Sequence, residues 1–269
     1  EFALIRDILI EAKSRERGHV NPTRGTGSGM NALIMRDVQR LWRQPLPLLT
    51  LAATVVVPYA VQALGLAQLN PPISALVLVA ALVPFMNSLR VLTRTRGLQR
   101  CFPYDPARVK QAAMVVPGIL ALLWSIGALP AFMGVGGGIT VAPFDAASAA
   151  IVTGIAGFLG AVRWVSARPP DYSGPIVATG LGAMPPGLMF SLLRGIDMVA
   201  LVTLPVVLGW PVWISLVVGL IAFMILRSGL DREQLMEQQE EQKRLLEEEK
   251  RRRAGELPPK QKIKVQRNR

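Results

Sequence analysis

The sequence predicts an all-α membrane protein, a polytopic helical bundle of about six transmembrane helices with a cytoplasmic C-terminal helix. Three observations carry that expectation. Hydrophobic residues make up 51% of the 269, although 30 Lys and Arg and 18 Asp and Glu accompany them, so charge and apolar surface are segregated along the chain. Apolar stretches of 17 to 24 residues lie between the charged clusters, the length a helix needs to cross a hydrocarbon core of about 30 Å. Finally, all 30 Lys and Arg fall on one side of the predicted crossings: 8 before the first, 6 within 90–110, 3 within 163–194 and 13 from 227 onward. Basic residues gather on the cytoplasmic side of membrane proteins, which places both termini in the cytoplasm.

Residues 1–30 read as a flexible cytoplasmic segment ending in the linker-like Gly25-Thr-Gly-Ser-Gly29. The chain is either a fragment or uses Met30 as a natural start. From 31 to 45 an amphipathic interfacial helix is expected. Leu33, Ile34, Val38, Leu41 and Trp42 are assigned to its apolar face, and Arg36, Asp37, Arg40 and Arg43 to its polar face. The alternative is a plain cytoplasmic extension of the first crossing.

The transmembrane domain is predicted over 46–227. Span one covers 46–67 with a kink at Pro58, and Asn70-Pro71-Pro72 reads as a tight outer turn. Span two runs from 73 to 94 and ends in arginines. Asp105-Pro106 supplies an N-cap followed by proline at the first helical position, where its missing N–H costs nothing, so a helix starts there and continues as span three, 111–133. The glycine-rich 134–138 is the next outer loop, and Asp145 is expected to cap span four, 146–167.

Residues 175–193 are apolar but broken by glycines and prolines. A complete crossing there would strand Arg194 on the outer side. The preferred solution therefore starts span five near Pro186 and ends it at Gly209, leaving 169–185 as an inner loop or shallow interfacial segment; a re-entrant hairpin is the alternative. Arg194 and Asp197 then share one helix face and pair near the inner interface. Span six is 211–227. Trp42 and Trp164 mark the inner interface and Trp210 and Trp213 the outer one, with Trp124 alone inside a span. Beyond 228 a charged cytoplasmic helix is expected to 256. Pairs such as Glu240–Arg244 and Glu247–Arg251 stabilise it at four-residue spacing; its few leucines suit a solvated single helix better than a coiled coil. Residues 257–269 form a disordered basic tail.

The chemistry is sparse. One cysteine, Cys101, leaves no internal disulfide, and one histidine, His19, offers little to a metal. There is no Gly-Lys-Ser/Thr phosphate loop, no His-Glu-x-x-His and no Cys-x-x-Cys. No catalytic residue, cofactor-binding residue or cofactor is expected, and the chain reads as no enzyme. The net charge of +12 flanks apolar spans, so it fits an anionic inner leaflet rather than nucleic acid. Asn87, Gln62 and Ser125 are uncharged and suit interhelical hydrogen bonds. Ala149, Thr153, Gly157 and Ala161 form a small-residue stripe for close helix packing, within the bundle or across a homo- or hetero-dimer. Pro58, Pro84, Pro117, Pro130 and Pro205 fall inside spans, as membrane helices tolerate.

Two segments carry a resemblance. Arg36-Asp-Val-Gln-Arg-Leu-Trp-Arg-Gln-Pro45 leading into span one, and Cys101-Phe-Pro-Tyr-Asp-Pro-Ala-Arg108 between spans two and three, resemble bacterial ABC exporter permeases of the ABC-2 type. Pro185-Pro186-Gly187 with Leu193-Arg194-Gly195 and Asp197 is similar to a segment of large actinobacterial permease-like proteins, in which a six-span unit occurs twice and this chain matches the second. The resemblance covers 31–227 and not the charged tail. It implies a transport subunit powered by a separate ATP-binding subunit, with Arg96, Arg100, Tyr104, Asp105 and Arg108 as partner contacts and Arg194 and Asp197 as gating residues. The competing reading is a non-transporting membrane scaffold that recruits a cytoplasmic partner through its charged C-terminal helix.

Overall fold

In the computed structural model, residues 29–43, 45–94, 104, 106–137, 140–167, 177–179, 182–184 and 194–228 are described. Residues 1–28 and 229–269, which hold the expected N-terminal linker up to Gly29, the C-terminal helix beyond Ser228 and the basic tail, lie outside them. The architecture is helical: α1 (Met30–Arg43), α2 (Pro45–Thr54), α3 (Val56–Ala63), α4 (Asn70–Leu82), α5 (Asn87–Arg94), α6 (Pro106–Phe132), α7 (Pro143–Ser166), α8 (Ile196–Val207) and α9 (Val212–Ser228). Among the described residues, four stretches are long and apolar enough to cross a membrane, namely Pro45–Ala63, Ala67–Thr93, Ala107–Phe132 and Pro143–Ser166. Two shorter apolar helices, Ile196–Val207 and Val212–Leu226, follow them.

Prolines set the internal breaks. Pro58 lacks an N–H and its ring crowds the carbonyl four residues back, that of Thr54. The first apolar stretch therefore divides into α2 and α3 at Val55, whose N–H donates instead to the Ala52 carbonyl at 3.1 Å. Pro84 has the same effect on the second stretch, where a 3-10 turn, Val83–Met86, separates α4 from α5. Pro117 and Pro130 leave α6 continuous over 27 residues, and Pro205 sits within α8.

The outer turn expected at Asn70-Pro71-Pro72 is displaced. The chain reverses at Leu64–Leu66, with Gly65 at φ +76°, and a 3-10 turn at Ala67–Leu69 leads into α4. Both prolines occupy the first turn of α4, where no donor is required. Asn70 is fully buried: its amide donates to the Pro58 carbonyl at 3.1 Å and to Gln62 Oε1 at 3.4 Å, and its Oδ1 accepts from Ser74 Oγ at 2.7 Å. This polar knot joins the adjoining ends of the first two apolar stretches.

At the start of α7 the expectation is again shifted. Ala142 is the N-cap and Pro143 the first helical residue, so Asp145 lies inside the first turn without capping it. Its carbonyl accepts from Ser148 Oγ at 2.7 Å.

The core is organised around α7, which packs against α4, α6, α8 and α9. The small-residue stripe works within the bundle. A Cβ on Gly157 would stand 2.7–2.9 Å from Leu78, and one on Gly160 would stand 2.7 Å from Val79 Cγ2 and 3.0 Å from the Gly195 carbonyl. Small residues let these backbones approach. Trp124, the buried tryptophan, donates Nε1–H to Thr54 Oγ1 at 3.1 Å and ties α6 to α2. Trp210 and Trp213 are exposed at the turn between α8 and α9. Leu122, Leu123, Ile126, Leu220, Ile221 and Ile225 also face outward, the apolar exterior that a multi-pass membrane protein requires.

Within 169–185 the described residues form a two-stranded antiparallel hairpin, Val177–Thr179 with Gly182–Met184, pairing Val177 with Met184 and Thr179 with Gly182. It lies in the segment expected to be an inner loop or a shallow interfacial stretch, and the fold remains all-α.

Candidate functional site

The first candidate lies where α1 meets the ends of the second and third apolar stretches. Met30, Leu33, Ile34, Val38 and Leu41 pack on the core, as helical periodicity predicts. Two assignments on α1 are corrected. Asp37 is buried, at 8% exposure, and Trp42 projects outward, at 85%. The reason is angular: Asp37 sits three residues after Ile34 and four before Leu41, in the middle of the apolar stripe, whereas Trp42 falls off its edge. That spacing was available in the sequence; residue type hid it.

Burying a carboxylate requires a partner. Ser88 Oγ, on α5 directly after the Pro84 break, donates to Asp37 Oδ1. Burial pushes the Asp37 carboxyl above the usual carboxylate range, while the Ser88 hydrogen bond and the guanidinium groups of Arg40 and Arg36 pull in the opposite direction. Asp37, Arg40 and Leu41 of α1 line a cleft with Pro47 of α2, Pro84 and Phe85 of the 3-10 turn, and Val116 of α6. The Asp37–Ser88 bond thus ties α1 to the break in the second apolar stretch.

The segment before α6 joins the same surface. The Tyr104 hydroxyl lies against Gly29, 3.1 Å from where a Cβ would stand, and Gly29 adopts φ +61°. Tyr104 is 38% exposed, and Arg108 is exposed on the first turn of α6. Arg36, Arg40 and Arg43 are exposed on α1. The start of α1 and the segment before α6, singled out separately in the sequence, therefore meet at Gly29 and Tyr104. Arg96, Arg100 and Asp105 lie outside the described residues.

The second candidate lies between α7 and α8. α8 starts at Ile196 after a turn at Arg194–Gly195, with Gly195 at φ +93°. Arg194 precedes the helix, so it and Asp197 do not share a helix face as expected. Asp197 Oδ1 accepts from the N–H groups of Gly195 and Met198, each at 2.8 Å, and Oδ2 faces Arg163 Nε of α7 at 3.5 Å. Sequence reasoning missed Arg163 because the contact depends on how α7 and α8 cross. Both side chains of this pair are nearly half exposed, so it contributes little to stability and is free to rearrange. The rest of the expected span five, 186–193, lies outside the described residues.

No group of three or more His, Cys, Asp or Glu able to hold a metal occurs among the described residues. Buried polar side chains there are hydrogen-bonded within the bundle, as with Ser125 Oγ to the Ala121 carbonyl at 3.0 Å; Ser215 Oγ has no partner.

A family model described as a family of unknown function (DUF6297) matches residues 1–175. The Asp37 junction, Tyr104, Arg108 and Arg163 fall inside the matched range, and Arg194 and Asp197 beyond it. Comparison with curated proteins and with solved structures gave no match.

Proposed function

The chain belongs to the DUF6297 family, and we propose that it is the membrane-spanning, permease-like subunit of an ABC-type exporter powered by a separate ATP-binding subunit. In this reading the two shorter helices, α8 and α9, complete six crossings, and the termini and all basic segments face the cytoplasm of a bacterial cell. Net transport requires a surface on which the ATPase pushes and a path by which that push reaches the spans. The observation that carries the proposal is the docking of α1, which meets the segment before α6 at Gly29–Tyr104 and is tied by Asp37–Ser88 to the helix break at Pro84. Displacing α1 there acts on a segment already lacking regular helical hydrogen bonds.

Arg108 and Tyr104, with Arg96, Arg100 and Asp105, contact the partner in this scheme. Asp197 acts as the gating carboxylate, with Arg163 as its partner in the resting state and Arg194 beside it. None is catalytic. The small-residue face of α7 is consumed inside the bundle, so any dimer uses another surface.

The test is mass spectrometry and an ATPase assay on what copurifies with the tagged chain in mild detergent. A P-loop ATPase in stoichiometric amount, lost in the Arg100→Glu, Arg108→Glu variant, is the expected result. A clean eluate, or a partner retained by that variant and lost on removal of 231–269, overturns the permease reading in favour of a scaffold acting through its tail.

A further inference from the structure

We propose that Asp37 and Ser88 form a proton-operated latch that docks α1 on the bundle in acid and releases it as the pH rises. α1 lies across α6 and the break at Val83–Met86, and its central stripe position holds a carboxylate where an apolar residue would ordinarily pack.

The groups facing this carboxylate differ in what they do when α1 lifts. Arg36 and Arg40 belong to α1 itself and travel with Asp37, so they favour its charge in both states. α5 supplies the neutral donor Ser88; its Arg90, and Arg108 and Lys110 of α6, are not among the charges acting on the carboxyl, which are those of Arg40 and Arg36. The other elements lining the cleft offer Pro47, Pro84, Phe85 and Val116, which carry no charge. Docking therefore exchanges the water around an ionised carboxylate for a single hydroxyl, which disfavours the charged form. Asp37 lines an open cleft instead of a closed core, so its proton exchanges with solvent.

The direction of the pH effect follows by linkage. Burial raises the carboxyl of docked Asp37 above its ordinary value, so the docked state binds more protons than the released state. Docking is fully favoured below the ordinary aspartate range and is lost as the pH rises through the raised value. Within that window the docking equilibrium falls by up to about tenfold per pH unit. Release carries Arg36, Arg40 and Arg43, which are exposed on α1, away from the bundle with it. The latch is a property of this chain alone and needs no partner.

Hydrogen–deuterium exchange of residues 30–43, on the full chain in lipid nanodiscs from pH 4.5 to 8 with intrinsic rates corrected, tests it. Protection of α1 is expected to fall with rising pH in the wild type. Asp37→Asn, neutral and nearly isosteric, should be protected at every pH, with no slope. Ser88→Ala, which leaves the carboxylate without its donor, should lose protection at lower pH than the wild type. Flat wild-type protection across the range overturns the latch, as does an unchanged slope in Asp37→Asn. Because no nucleotide or ATPase enters the measurement, failure to find an exporter partner leaves this result standing.

Discussion

Replacing Gly160 by alanine tests the claim that α7 holds the bundle together by backbone contact. The added methyl would stand 2.7 Å from Val79 Cγ2, 3.0 Å from Val199 Cγ2 and 3.0 Å from the Gly195 carbonyl oxygen. Valine side chains have little rotamer freedom in helices. The carbonyl is held too, since it accepts the Val199 N–H at 3.1 Å where α8 begins. The approach is reciprocal: a Cβ on Gly195 would meet the Gly160 carbonyl at 2.8 Å. Relief therefore requires α7 and α8 to separate. Overpacking costs about 1–3 kcal/mol, and three simultaneous contacts put this site in the upper part of that range. Alanine returns about 1 kcal/mol of helix propensity, leaving a net loss of about 1–2 kcal/mol. At about 2–4 °C per kcal/mol for a chain of this size, Tm should fall by about 2–8 °C.

Gly118→Ala is the control, because the same substitution in α6 meets only Phe158 ring atoms at 3.8 Å. With no overpacking, propensity alone acts, and Tm should rise by about 2–4 °C. Both variants are compared with wild type by thermal unfolding in one detergent, followed by circular dichroism at the helical band. A Gly160→Ala protein as stable as wild type, or a Gly118→Ala protein destabilised equally, would refute close backbone packing as the reason for glycine at 160.

Two further substitutions probe buried polar groups. Asn70→Ala leaves Gln62 Oε1, the Ser74 hydroxyl and a Pro58 carbonyl without a shared partner, and should cost about 1–3 kcal/mol in a reversible unfolding titration with sodium dodecyl sulfate. Ser215→Ala removes a buried hydroxyl that has no partner; in the same titration it should be neutral or stabilise by up to about 1 kcal/mol, and a loss would mean that the hydroxyl has a role in the folded protein.

The sequence was informative wherever one helix could be judged by itself. The ends of α6 and α9, the apolar character of α1 and the effect of Pro58 all follow from periodicity, span length and the missing proline N–H. Errors arose where a residue has two permitted roles. Asn70-Pro71-Pro72 suits a turn or a helical first turn equally well, and the choice rests on Asn70 finding buried partners in α3. Asp37 was assigned to the polar face by its charge, although its position placed it on the apolar stripe. Asp197 was matched with its near neighbour Arg194 because the helix start at Ile196 depends on the Arg194–Gly195 turn, which no local pattern announces.

What the sequence determined by itself was the solvent each segment requires. Apolar runs of membrane length, separated by basic clusters, leave few alternatives when every buried backbone group needs a partner. The tertiary structure decided which side chains meet. Arg163 reaches Asp197 because α7 and α8 approach to backbone contact at Gly160 and Gly195, and Ser88 reaches Asp37 and Tyr104 reaches Gly29 because α1 docks on the bundle. Those distances depend on how separate helices cross and rotate, a many-body packing result that the periodicity of any one helix does not contain.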